Sequence, residues 1–148
     1  MHRRMSTIVL DPGHGGHDSA GNSTPHGVRG PHGTLKKHVT LELARRISRQ
    51  LGPNVVLTRD GDTNLSLAER AAVAARHGAR VFLSLHTNAS DAGDRGPEVF
   101  VHAAAGEPSL ALARAVSHGA PHRDVLAADM AARGPRQRTG SPQAPVYA

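Results

Sequence analysis

Short β-branched apolar runs alternate with helix-period segments along this chain, and that alternation limits the fold more than any other feature. Ser6-Thr7-Ile8-Val9-Leu10-Asp11 ends at Pro12-Gly13, the pattern of a buried strand cut off by a turn. Residues 54–59 and 80–86 are runs of the same kind, and residues 98–102 are expected to form a fourth strand. Between the first two runs, Val39, Leu43, Ile47 and Leu51 recur every four residues with Ala44 beside them, while Glu42, Arg45, Arg46 and Arg49 face elsewhere. This predicts an amphipathic helix over 37–51 that buries the Val39–Leu51 stripe, stopped by Gly52-Pro53. Ser66 and Glu69 form a capping box, so a second helix should run from there to about His77. Pro108 suits the first turn of a third helix ending near His118. The order implies an α/β fold, a mostly parallel twisted sheet flanked by helices, in a single domain.

Composition narrows the function. The 148 residues are enough to bury a core, but two Phe, one Tyr and no Trp leave it to Val, Leu, Ile and Ala. So few aromatics also argue against a stacking surface for single-stranded nucleic acid. The absence of cysteine removes disulfides, thiolate metal sites and thiol nucleophiles together. No apolar stretch approaches the roughly 20 residues that cross a bilayer, and Ile8-Val9-Leu10 after the basic start is too short for a signal peptide. Residues 1–90 hold 12 Lys/Arg against 6 Asp/Glu, and residues 91–148 hold 6 of each, so the net +6 lies in the first part. That surface suits an anionic polymer, nucleic acid or an acidic cell wall, although no basic stripe or recognition motif favours nucleic acid. Residues 122–133 are expected to be helical, and the Pro, Gly, Arg, Gln and Ser of 134–145 read as a loose linker or frayed terminus.

Histidine is the residue type that points to chemistry. Of eleven His, five (His14, His17, His26, His32, His38) fall within residues 14–38, mostly in a Gly- and Pro-crowded loop over 12–35. In a parallel sheet, ligands gather outside the carboxyl ends of the strands. His14 follows the first strand and His86 ends the third, so both imidazoles should project from one edge. Two neutral imidazoles there make part of a zinc site, which takes three protein ligands and an open position. The alternative is a pair of hydrogen-bonded structural histidines. Asp18 stands where it can accept from a loop amide or from the far nitrogen of a ligand His.

Five stretches now matter together: residues 8–18, Gly33-Thr34-Leu35, Leu57-Thr58-Arg59-Asp60 with Leu65-Ser66-Leu67 and Arg70, Phe82-Leu83-Ser84-Leu85-His86-Thr87-Asn88-Ala89, and Gly96-Pro97-Glu98-Val99-Phe100. In this order they resemble the zinc-dependent N-acetylmuramoyl-L-alanine amidases (amidase type 3) of bacterial and phage cell-wall metabolism. The likeness covers residues 6–118 as an amidase-like catalytic domain and leaves 119–148 as a weakly structured or truncated C-terminal segment. It implies a hydrolase acting on the amide between the lactyl group of N-acetylmuramic acid and the L-alanine of peptidoglycan. It further implies one zinc per chain, a peptidoglycan or muropeptide partner, no nucleic acid, no membrane span, a monomer, and a cell-envelope location, periplasmic or secreted. By position, His14 and His86 correspond to two of the three zinc ligands, and Asn88 to a residue lining the substrate groove.

Two departures accompany the resemblance. The family's third ligand is a glutamate opening the first helix in a Glu-Lys pair, and here Lys36-Lys37 stands there, so Lys36 fills the ligand position. An ammonium has no lone pair for a metal. Glu42 lies about 240° further round the helix, which leaves His38, His32 and His26 as possible substitutes. The family's general base is a glutamate after a late strand. Ala144-Pro145-Val146-Tyr147-Ala148 resembles the start of that strand, and none of Glu42, Glu69, Glu98 and Glu107 stands in the expected place. Two function classes follow: a zinc amidase, or a catalytically disabled or truncated amidase-like domain that binds peptidoglycan without efficient turnover.

Overall fold

The computed structural model describes residues 7–27, 29–30, 32–87 and 98–119. The chain divides into two units, Met1–Ala89 and Ser90–Ala148. In the first unit, β1 (Ile8–Pro12), α1 (Lys36–Leu51), β2 (Val55–Leu57), α2 (Leu67–Arg76) and β3 (Val81–Leu85) follow one another. All three strands are parallel in the order β2-β1-β3, with Ile8 level with Val55 on one side and Val81 on the other. The β–α–β alternation of the sequence is therefore realised as an open parallel sheet.

Being central, β1 is covered on both faces. Val9 and Leu10 alternate across it and are at most 1% exposed. Burying each contributes about 1.5–3 kcal/mol. α1 packs on all three strands and α2 on β1. The chain leaves β1 for β2 on one side and then crosses back to β3 on the other. This makes the junction of β1 and β3 the switch point of the sheet, where sheets of this kind place the ligand crevice, outside the carboxyl ends of the strands.

α1 spans the expected residues but turns a different face inward. Its buried residues are Lys37, Thr40 and Ala44, whereas Val39, Leu43 and Leu51 are 39%, 41% and 52% exposed. The buried arc is displaced by one residue, about 100°, from the predicted stripe. Hydrogen bonding accounts for the rotation: Lys37 Nζ donates to the Gly16 carbonyl and to Asp62 Oδ2, both at 2.8 Å, and Thr40 Oγ1 donates to the Gly13 carbonyl at 2.8 Å. Polar groups with such partners can be buried, and here they displace the leucines. α2 begins as predicted, with the Ser66 hydroxyl accepting from the Glu69 amide and the Glu69 carboxylate accepting from the Ser66 amide.

In the second unit, α3 (Glu107–His118) carries Pro108 in its first turn, as the sequence suggests. Among the described residues the expected strand over 98–102 joins no ladder. A β-branched run such as Val99-Phe100-Val101 favours extended backbone but does not specify a neighbour to pair with. The expectations for residues 122–148 and for Asn88 lie outside the described residues. Among the described residues no helix is long and apolar enough to cross a membrane.

Candidate functional site

The crevice rests on a buried polar base. Asp11, next to last in β1 and 3% exposed, accepts from Thr58 Oγ1 at 2.6 Å, Arg70 Nη1 at 2.7 Å and Ser84 Oγ at 2.6 Å. One carboxylate thereby ties β1 to β3, to the end of β2 and to α2. Arg70 also donates to the carbonyls of Pro12 and His14. Arg59, just past β2, donates to the carbonyls of Pro12, Gly13 and Lys37. Two guanidinium forks thus fix the backbone of residues 12–14, the segment that aims His14.

His14 sits in the left-handed region at φ +63°, an uncommon conformation for a residue with a Cβ, held by those carbonyl bonds. Its Nδ1 lies 3.0 Å from the Thr24 carbonyl and 3.2 Å from Thr24 Oγ1. A carbonyl only accepts, so Nδ1 carries the proton and Nε2 presents its lone pair. Thr24, not Asp18, orients the ring; the Asp18 backbone carbonyl instead accepts from Asn64 Nδ2.

His86 directly follows β3, and its ring centroid lies 5.0 Å from that of His14 at an interplanar angle of 79°. Gly13 permits this approach, because a Cβ there would run into the His86 ring. Gly27, at φ +65°, permits the third member. A Cβ on Gly27 would stand 2.8 Å from His14 Nε2 and 2.9 Å from Lys36 Cβ, so Lys36 and the free nitrogen of His14 flank one point. Burial pushes both imidazoles below the usual histidine value. For His14 the Thr24 bond opposes this and Lys36 adds to it; for His86 the neighbouring His14 ring comes next, and Lys36 also contributes.

The remaining candidates stand elsewhere. Glu42 is exposed and pairs with Arg46 Nε at 2.7 Å. His38, His32 and His26 are exposed, and His26 meets His17 at a ring distance of 6.1 Å. Among the described residues no group of three or more His, Cys, Asp or Glu side chains is arranged to hold a metal. Two imidazoles with an ammonium at the third position do not fit a catalytic zinc, which needs a third lone-pair donor.

Comparison with known proteins gives this arrangement a lineage. The family model for N-acetylmuramoyl-L-alanine amidase matches residues 8–141. The chain belongs to the N-acetylmuramoyl-L-alanine amidase family. Within 84 residues it is 43% identical to the N-acetylmuramoyl-L-alanine amidase AmiA of Escherichia coli K12, a match covering 55% of this chain and 27% of that one. It therefore spans little more than a quarter of that relative. The crystal structure of an N-acetylmuramoyl-L-alanine amidase from Clostridium difficile 630 superimposes with a TM-score of 0.64 at 29% identity, covering 78% of this chain and 62% of that one. The catalytic domain of the amidase CwlV from Bacillus (Paenibacillus) polymyxa var. colistinus gives 0.62 at 32% identity, covering 77% and 61%. The parallel sheet and flanking helices are thus those of amidase domains.

Within this amidase-family site, several residues escaped the reading of the sequence: Thr24, Gly27, Lys37, Thr40 and Asp62. Arg59 and Arg70 appeared only as parts of matching stretches. A partial signal existed for Arg59, which follows a strand at the edge where ligands gather.

Proposed function

We propose that this chain is a peptidoglycan-directed amidase domain, its target the amide between the lactyl group of N-acetylmuramic acid and L-alanine. The observation that carries this is the family match over residues 8–141. The placement of His14 and His86 at the switch point of an amidase-type sheet supports it. The family resemblance would make zinc the cofactor, His14 and His86 two of its ligands and Asn88 part of the substrate groove. The domain works as a monomer in the cell envelope, periplasmic or secreted. A zinc ion held by a complete ligand set would supply polarisation of the scissile carbonyl and activation of a water. The residues around Lys36 do not complete its ligand set, so no hydrolytic step is assigned through it.

A second reading is favoured by Lys36 itself: the domain grips peptidoglycan without efficient turnover. One assay separates the two. The purified chain, supplied with zinc, is incubated with peptidoglycan sacculi, and new L-alanine amino ends and sedimented protein are both measured. Released amino ends establish the hydrolase; protein retained on sacculi without them establishes the second reading. Absence of both release and retention would contradict the peptidoglycan assignment altogether.

A further inference from the structure

We infer that Lys36 replaces a metal as the cation of this crevice, which binds a carboxylate of a muramyl peptide with no metal present. The inference rests on the second of the two readings above. The geometry around Lys36 carries it. The Lys36 side chain makes no hydrogen bond or ion pair among the described residues, although it opens a helix whose next residue, Lys37, is bonded to the Gly16 carbonyl and to Asp62. A Cβ on Gly27 would stand 2.9 Å from Lys36 Cβ and 2.8 Å from His14 Nε2, so the lysine and the imidazole flank one point. Among the described residues the carboxylates of the lysine's own helix and of the strand ends are taken by others: Asp11 pairs with Arg70, Asp62 with Lys37, and Glu42 with Arg46. Behind Lys36 the guanidinium of Arg59 is bonded mainly to backbone carbonyls, with no carboxylate among its partners. Among the described residues Lys36 is therefore a cation with no carboxylate bonded to it, above a buried guanidinium whose hydrogen bonds go to neutral oxygens, and such a pair attracts a carboxylate.

The orientation of the His14 ring completes the recognition. With Nδ1 committed to Thr24, His14 Nε2 accepts a hydrogen bond, so a ligand with an N–H beside its carboxylate meets an acceptor and a cation together. A peptide stem offers both groups. Gly27 keeps the approach open, since a side chain there would occupy the point between Lys36 and His14.

The test compares a soluble muramyl peptide bearing free carboxylates with the same peptide fully amidated, both in a strong chelator. The wild-type chain is expected to bind the acid form about tenfold more tightly than the amide, with the preference shrinking as salt rises. Lys36→Gln removes the preference, and Lys36→Arg keeps it. Equal binding of the two forms by the wild type, or an unchanged preference in Lys36→Gln, overturns the inference. Should no muramyl peptide bind, acetate is titrated against the His14 and His86 ring resonances. Shifts in the wild type that vanish in Lys36→Gln leave the anion site standing and remove only the peptidoglycan reading. No shifts remove both. Ring resonances of Lys36→Gln matching the wild type in the absence of ligand show that the variant is folded.

Discussion

At the scale of single residues, the crevice depends on how two histidines are held. His14 is twisted into the left-handed region, fixed by carbonyl bonds to Arg70 at its own backbone and by Thr24 at its ring. His86 approaches across Gly13. Both rings are lowered from the ordinary value of 6.5, chiefly by burial, so the folded chain keeps them neutral where an unfolded chain takes up protons. Stability linked to them is fully present above pH 6.5 and is lost as pH falls from there towards the folded values. Metal-free protein should therefore show a falling melting temperature below pH 6.5, with a shallower fall in His86→Gln. Equal slopes in the two proteins would contradict the assignment. The two histidines were legible because each ends or follows a strand signal. Thr24 and Gly27 were not, because their roles depend on a loop folding back over ten or more residues, which no local pattern encodes.

Among the elements, the helices divide by what holds them. α2 is set by local chemistry, and its start could be read directly from Ser66 and Glu69. Ser66→Ala should cost about 1 kcal/mol in urea denaturation, because the Glu69 amide loses its acceptor. A cost below a few tenths would mean that packing alone holds the helix end. α1 shows where periodicity misleads. The Val39–Leu43 stripe is a correct sign of a helix but a poor guide to its orientation, since Lys37 and Thr40 find carbonyl and carboxylate partners in the loop. Hydrophobic pattern carries no information about such partners. That residues 98–102 join no ladder among the described residues has the same origin, because extended propensity does not supply one.

For the whole molecule, strand order does what no single residue does. The β2-β1-β3 arrangement sets the carboxyl ends of β1 and β3 side by side, and so brings residues 72 positions apart in sequence into one crevice. Strand and helix runs in the sequence were enough to foresee a parallel α/β sheet, and the amidase lineage confirms that class. In that crevice Lys36 stands beside His14 and leaves the two imidazoles without a third lone-pair donor. The measurement that tests this most directly is zinc per chain in the wild type and in Lys36→Glu, each dialysed against a chelator of moderate strength. The account predicts almost no zinc in the wild type and about one tightly held zinc in the variant, where a third lone-pair donor joins the two imidazoles. One zinc held by the wild type, or none taken up by a folded Lys36→Glu, would contradict it.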